Sequence, residues 1–205
     1  MAKKETGRAA AKNKKTQLSY ADKPWLKHYT MGCPPKIQYK KTTLPEYLES
    51  AAREFPEHTA LIFQGYRVKY RELKDMVDRF AACLADFGIK KGDPVAILLP
   101  NCIPCVVAYY ATLKIGGIAV MNNPLYSDRE LEYQYKDSGA KVLVADAKRY
   151  ERIATEVAAG ELGDLEVVLL IDGDPADFPN PDGKHGPMVQ RFDELLARPD
   201  APLPD

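Results

Sequence analysis

Short runs of residues that are apolar at every position constrain the fold of this chain most strongly. Residues 95–99 and 167–171 are continuous aliphatic stretches without the alternation of apolar and polar residues that a half-exposed strand shows. Such short, fully apolar runs are typical of strands buried on both faces, which a parallel sheet covered by helices provides. Both runs are far shorter than the roughly 18 residues that a membrane-spanning helix needs. We therefore expect a buried strand at each run.

Helical patterns separate these runs along the chain. In residues 71–87 the apolar side chains fall on one helical stripe, and Gly88 follows as a cap. The alternation of strand and helix predicts an α/β fold with a mostly parallel sheet flanked by helices. Further helices are predicted after the capping boxes Thr43/Glu46 and Ser127/Glu130 and over residues 104–115 and 148–158. Further strands are predicted at ALIF, YRVKY (a hairpin joined through Gln64 and Gly65), Ile118–Met121, KVLVA and EVVLLI.

Both ends of the chain differ in composition from this alternating region, residues 25–172. Residues 1–24 are expected to form a disordered basic arm, because the first 16 hold six basic residues and one acid. Residues 173–205 are proline-rich and are expected to form a loop, a short helix and a linker. Basic and acidic residues balance at 29 each, which argues against a nucleic-acid partner. No secretory signal is recognisable, so we expect a cytoplasmic protein, with peripheral membrane contact through the basic arm as an alternative.

No motif for catalysis or nucleotide binding is found in the residues alone. The chain lacks a phosphate-binding G-x-x-x-x-G-K-[ST] loop, a G-x-G-x-x-G turn and a G-x-S-x-G elbow. We therefore predict no catalytic residue and no resident metal. Cys102 and Cys105 form a C-x-x-C motif at a predicted helix start, where a lowered thiol pKa would favour redox chemistry. We nevertheless interpret this pair as two packed small residues, with the redox dithiol as the alternative, and the acids Asp78, Asp172 and Asp174 are expected to be solvated.

Tyrosines are the other side chains with two interpretations. Such an aromatic-rich stretch is able to line a hydrophobic ligand channel, whereas packing in the core and at its rim is the simpler interpretation. The tyrosines concerned are Tyr109, Tyr110, Tyr126, Tyr133 and Tyr135.

Three ordered stretches resemble a known family. They are the segment from WLKHY to LIFQG, the segment VKYRELKDMVDRFAACLADFGIKKGDPVAILLPNC, and the segment ATLKIGGIAVMNNPLYSDRELEYQYKDSGAKVLVAD. Together they resemble the N-terminal part of the large domain of adenylate-forming enzymes, most closely the bacterial long-chain fatty acid–CoA ligases, over residues 25–196. The matching motif residues, which the resemblance assigns to the scaffold, are Tyr70, Glu72, Leu73, Gly116, Gly117, Asn123, Pro124 and Leu125. Asn122 and Tyr126 are candidates for a substrate or CoA channel.

The resemblance implies an activity for a complete enzyme. A fatty acid, ATP and CoA would give acyl-CoA, AMP and pyrophosphate, with Mg²⁺ on the phosphates. In this family a Ser/Thr-Gly-rich loop ending in lysine holds those phosphates, and it is expected after Asp205. We therefore expect a fragment that is inactive alone, binds no cofactor itself, has the remainder of the ligase as its partner, and forms a homodimer through residues before Thr43. The alternatives are a non-catalytic module that binds lipid or a partner, and a fragment of an aryl or short-chain acid–CoA ligase.

Overall fold

The computed structural model of the protein describes residues 22–179 and 186–197. The chain divides between Lys41 and Thr42 into two units. In the described part of the first unit, a short 3₁₀ helix, Pro24–His28, is followed by irregular chain. The second unit, which contains the α/β fold, begins at Thr42. The domain bounds at residues 24 and 172 stay predictions. Most of the predicted basic arm lies outside the described residues.

The elements of the α/β unit alternate as predicted. In chain order they are α1 (Leu44–Glu54), β1 (Thr59–Phe63), β2 (Tyr66–Lys69), α2 (Tyr70–Asp86), β3 (Pro94–Leu98), α3 (Ile103–Lys114), β4 (Ile118–Met121), α4 (Asp128–Ser138), β5 (Val142–Ala145), α5 (Ala147–Glu151), α6 (Ala154–Ala158), β6 (Val167–Leu170), β7 (Met188–Arg191) and α7 (Phe192–Leu196).

Strands β1 and β2 form the predicted antiparallel hairpin. Gln64 and Gly65, the two turn residues, have φ angles of 49° and 86°. Positive φ at both positions matches the backbone twist of paired strands, and glycine accepts it without strain. The hairpin runs directly into α2 at Tyr70, so it lies beside the start of the best-patterned helix.

The other five strands form one parallel sheet in the order β4-β3-β5-β6-β7. The strands β5 and β6 are buried at every residue, and β3 is buried from Val95 onward. The predicted fold class, a parallel sheet flanked by helices, is confirmed, because continuous apolarity in these strands corresponds to burial on both faces.

Two hydrophobic cores lie on opposite faces of this sheet. Alternate strand residues such as Ile97 and Val144 pack with α2, α3 and α7 in the first core. The intervening residues, such as Leu98 and Leu143, pack with α4, α5 and α6 in the second core. The molecule therefore has helices in two layers with the sheet between them.

Two elements differ from the sequence-based prediction. Strand β7, within the region expected to hold a loop, a short helix and a linker, was not predicted, because MVQR has little of the apolar character of the other strands. The predicted helix over residues 148–158 is two short helices, α5 and α6, which break at Arg152 and Ile153. Arg152 binds the backbone oxygen of Tyr126 at 3.0 Å and Ile153 is buried, so contacts with the rest of the fold fix the break. Across the described residues, no helix is long and apolar enough to cross a membrane.

Candidate functional site at the carboxyl edge of the sheet

The carboxyl ends of the strands meet at a point where the chain changes direction across the sheet. From β3 the chain passes through α3 on one face to β4, and then through α4 on the other face to β5. The loops after β3 and β5 therefore diverge, and open α/β sheets bind ligands in the crevice that such a divergence leaves. We take this carboxyl edge as the candidate functional site.

Asn122 is the most buried polar side chain that follows β4 at this edge, with 4% of its surface exposed. Its backbone N–H donates to the oxygen of Ile97 at 3.0 Å, and its side-chain nitrogen donates to Oε1 of Gln134 on α4. Its Oδ1 is buried and accepts no hydrogen bond in the described structure. A buried acceptor without a donor is costly, so a water molecule or ligand donor is expected there.

The loop after Asn122 is shaped by its own hydrogen bonds. Oδ1 of Asn123 accepts from the N–H of Leu125 at 3.0 Å, and the N–H of Tyr126 donates to the oxygen of Asn123 at 3.0 Å. Leu125 is 86% exposed, whereas Pro124 and Tyr126 are half-buried, with Tyr126 against the second core. Asparagine is suited to this turn because its side chain bonds to the backbone two residues later.

Acidic side chains after β5 and β6 are occupied by structural bonds. Asp146 is buried, accepts from the N–H of Arg149 at 2.9 Å and forms an ion pair with its guanidinium group. Oδ1 of Asp172 accepts from the N–H of Ala147 at 2.7 Å. Asp146 was not singled out from the sequence, whereas Asp172 is exposed to solvent as expected and in addition accepts this hydrogen bond. Their common signal is an aspartate directly after a buried strand or one residue beyond it.

The remaining motif residues lie elsewhere and have structural contacts. Glu72 accepts from the N–H of Lys69 at 2.9 Å and so caps α2, while half-buried Tyr70 and buried Leu73 begin that helix. Gly116 and Gly117 precede β4, at the opposite edge of the sheet. The structure thus brings Asn122, Asn123, Pro124, Leu125 and Tyr126 together in the loop after β4. The other five motif residues, Tyr70, Glu72, Leu73, Gly116 and Gly117, lie away from this loop.

The tyrosines do not gather around one channel. Tyr135 is fully buried in the second core, where burial raises the pKa of its hydroxyl, and Tyr133 on the same helix is 69% exposed. Tyr109 and Tyr110 on α3 pack edge to face, with ring centroids 5.6 Å apart. These positions agree with packing in the core and at its rim.

Cys102 and Cys105 lie at the start of α3, beside the loop after β3. Both are about nine-tenths buried and neither is in a disulfide. Burial raises the pKa of each thiol, so the lowering expected from a helix N-terminus is not found. Across the described ranges, no three His, Cys, Asp or Glu side chains gather closely enough to hold a metal ion.

Comparisons with known proteins place this geometry among related folds. The family profile described as "AMP-binding enzyme" matches residues 48–203. The long-chain fatty acid–CoA ligase of Bacillus subtilis strain 168 is 39% identical over 124 residues, which cover 60% of this chain and 22% of that protein. This chain therefore spans about one fifth of the length of that curated relative.

Solved structures give the same picture. The apo structure of MbtA from Mycobacterium smegmatis superposes with a TM-score of 0.68 at 30% identity, over 82% of this chain and 29% of that one. A long-chain fatty acid–CoA ligase from Archaeoglobus fulgidus superposes with a TM-score of 0.65 at 24% identity, over 82% of this chain and 32% of that one. At 24% identity, the second likeness speaks for the fold alone.

Proposed function

This chain belongs to the family of AMP-binding enzymes, and from that premise we propose that it forms part of an ATP-dependent long-chain fatty acid–CoA ligase. The complete enzyme would convert a fatty acid, ATP and CoA into acyl-CoA, AMP and pyrophosphate. The observation that carries the proposal is the 39% identity over 124 residues to a protein of that name, within a family match over residues 48–203.

The described residues do not fit the ATP phosphates by themselves, and no three His, Cys, Asp or Glu side chains among them gather closely enough to hold Mg²⁺. At the carboxyl edge, Asp146 and Asp172 would repel phosphate, and the guanidinium of Arg149 is already paired with Asp146. The edge has none of the glycine-rich backbone that cradles phosphates in a P-loop. We therefore derive no chemical step from this chain and propose that the remainder of the ligase binds ATP, Mg²⁺ and CoA.

The proposed role of this chain is to hold one wall of the active site in place. The loop after β4 is fixed by the backbone bond from Asn122 to Ile97 and by the turn at Asn123. Both bonds continue the rigid sheet into the loop, which is the support that a functional site needs. The free Oδ1 of Asn122 is the group best placed to meet a donor from outside the described residues.

The proposal is tested on the polypeptide as it occurs in its source cells. An antibody against this region would isolate it for measurement of its mass and of palmitate-dependent AMP release with ATP, Mg²⁺ and CoA. We expect a mass more than twice the 22.9 kDa of this chain, together with activity. A native polypeptide of 22.9 kDa that releases no AMP would overturn the ligase assignment.

The purified 205-residue chain is the matching control. It should release no AMP, and robust turnover by it would show that the wall-forming role is wrong. If the native polypeptide is small and inactive, titration with a fluorescent fatty acid and with anionic vesicles tests the alternative of a lipid-binding module.

The acid is proposed to be long-chain because the relatives at 36–39% identity carry that name. A panel of palmitate, benzoate and acetate, assayed with the native enzyme, distinguishes this from an aryl or short-chain acid. A preference for benzoate or acetate would replace the long-chain assignment while leaving the family unchanged.

We propose that the first unit contacts a second copy of the protein. Met31, Ile37 and Tyr39 in this unit are more than half exposed, so their apolar surface is available to a second copy. Deleting residues 1–41 should lower the mass that light scattering reports for the native enzyme. An unchanged mass would place the interface elsewhere. Peripheral membrane contact and a cytoplasmic location stay predictions.

A further inference from the structure

Helix α3 begins differently from α1 and α4. In α1, Thr43 is the N-cap and Glu46 is the third helical residue, and their side chains hydrogen-bond at 3.0 Å. In α4, Ser127 and Glu130 occupy the same two positions and bond at 2.7 Å. The two positions therefore bring side chains into contact, as the capping box requires.

Cysteines occupy these two positions in α3. Cys102 is the N-cap, with an extended backbone and no capping hydrogen bond from its side chain, and Cys105 is the third helical residue. Helix geometry separates Cα atoms three residues apart by about 5 Å. Disulfides join Cα atoms that are about 4.4–6.8 Å apart. A bond between the two sulfurs would therefore fit without displacing the helix.

A cleft of about 210 Å³ reaches both cysteines. Strand β1 lines it with Leu61, Ile62 and Phe63, and Asn101 is a further lining residue. The lining residues carry no charge and are mainly apolar, which suits a small uncharged reagent better than a charged one. Ile62, one of the lining residues, is 64% exposed.

We propose that Cys102 and Cys105 form a dithiol site that small uncharged disulfides convert reversibly into an intramolecular disulfide. One cysteine thiolate attacks a sulfur of the reagent, whose S–S bond breaks and releases one thiol. The second cysteine thiolate then attacks the protein sulfur of this mixed disulfide and expels the second thiol. The two cysteines are oxidised, the reagent is reduced to two thiols, and the two cysteine protons pass to these products.

The reaction rate should depend on pH in a defined direction. Burial raises the pKa of both thiols; the carboxylate of Asp146 raises the pKa of Cys102 further, and the guanidinium of Arg149 partly opposes it. Both thiols are therefore protonated near neutral pH and the resting state is the dithiol. Because the thiolate is the nucleophile, the rate should rise about tenfold per pH unit until the thiol pKa is reached. Dithiothreitol should restore the dithiol.

Hydroxyethyl disulfide is the probe, applied to the folded 205-residue chain carrying Cys33→Ser, which removes the exposed thiol. Alkylation of the remaining thiols followed by intact-mass and peptide mass spectrometry should show two thiols lost and a link between residues 102 and 105. In Cys102→Ser and in Cys105→Ser, the remaining cysteine should instead keep a reagent adduct. Cys83 is the internal control, because its buried thiol donates to the oxygen of Leu195 and should stay reduced.

Serine is a favourable N-cap, so Cys102→Ser should fold, and circular dichroism checks this for each variant. The proposal would be overturned if hydroxyethyl disulfide modifies Cys33 of the unsubstituted chain while the thiols at residues 102 and 105 still react with the alkylating reagent. A link that forms only in urea would also overturn it, because the folded geometry would then not be its cause.

Discussion

At the scale of one residue, Gly117 belongs to a family motif and is required by the fold although it lies far from the candidate site. Its N–H donates to the oxygen of Thr112 at 2.9 Å, and the next N–H, that of Ile118, donates to the oxygen of Asp93 at 2.9 Å. The chain thus turns from α3 into β4 between two backbone oxygens. A Cβ at Gly117 would lie 3.1 Å from each of these oxygens and 3.0 Å from Cγ2 of Thr112.

Gly117→Ala should therefore lower the free energy of unfolding by about 1–3 kcal/mol, the usual cost of forcing an extra group into a packed site. Urea unfolding of both proteins measures the difference. Lys91→Ala, an exposed change near the same turn, is the control and should stay within about 0.5 kcal/mol of wild type. Equal stability of wild type and Gly117→Ala would show that the turn relaxes to admit a methyl group.

Ser127 supports the loop of the candidate site from its far end. Its Oγ and backbone N–H both donate to Oε2 of Glu130, at 2.7 and 2.8 Å. These bonds hold the pKa of Glu130 below its ordinary value. A lowered carboxyl pKa means that the folded state favours the ionised form, so this contribution exists at neutral pH and disappears as the pH falls below about 4.5.

Ser127→Ala should lower the free energy of unfolding by about 1 kcal/mol at pH 7, and the difference from wild type should shrink below pH 4. Urea unfolding across this pH range gives both numbers. Thr155→Ala, which leaves the α4 cap untouched, should show no such pH-dependent difference. A loss that is the same at every pH would assign the effect to the hydroxyl alone and not to Glu130.

At the scale of elements, Lys114 joins three of the helices that pack on the first core, α1, α2 and α3. Its Nζ donates to Glu49 on α1 at 2.6 Å and to Asp78 on α2 at 2.8 Å, and its side chain is only 15% exposed. Burial lowers the pKa of Lys114, but these hydrogen bonds outweigh burial and leave the pKa above 10.5. The contribution to stability is therefore complete below pH 10.5 and is lost as the pH rises through the folded-state pKa.

Lys114→Met should lower the free energy of unfolding by about 1–3 kcal/mol at pH 7, because Glu49 loses its lysine partner and Asp78 is left with Lys74. Lys136→Met is the matched control: its ion pair with Glu132 within α4 is about half exposed, and its loss should cost no more than about 0.5 kcal/mol. Denaturant titrations of the three proteins decide the matter. Similar decreases in the free energy of unfolding of the two variants would mean that the ion pairs between the helices add no more stability than an exposed ion pair within one helix.

Strong local patterns predicted most elements, and tertiary contacts decided the rest. The stripe on α2, the capping boxes at Thr43 and Ser127, and the fully apolar runs of β3 and β6 each carry their own signal. Strand β7 has no such signal, since pairing with β6 fixes MVQR as a strand. The sequence pointed to Asn122 as a candidate but not to its unpaired Oδ1, for a similar reason. The orientation of the Asn122 side chain is set by the hydrogen bond from its nitrogen to Gln134, which lies on another element.

At the scale of the molecule, β4 is the edge of the described sheet next to the candidate site. The N–H groups of Ile118, the first residue of β4, and of Asn122, the residue after β4, donate toward β3. Backbone groups alternate in direction along a strand, so those of Ala119 and Met121 face away from β3. No residue of IAVM is charged, and Ile118 and Met121 are about half exposed. An exposed apolar edge strand without a charged residue is prone to pair with a strand of another chain.

The 205-residue chain should therefore self-associate at modest concentration in light scattering, and Met121→Lys should shift it toward the monomer, because a lysine on an edge strand disfavours pairing. Tyr133→Lys, on the exposed face of α4, is a control of equal charge that leaves the strand intact. Measuring both in a chain that lacks residues 1–41 separates the edge from the first unit. Association that persists in Met121→Lys but disappears on removal of residues 1–41 would assign the contact to the first unit. A monomeric wild-type chain would contradict association through the β4 edge and association through the first unit.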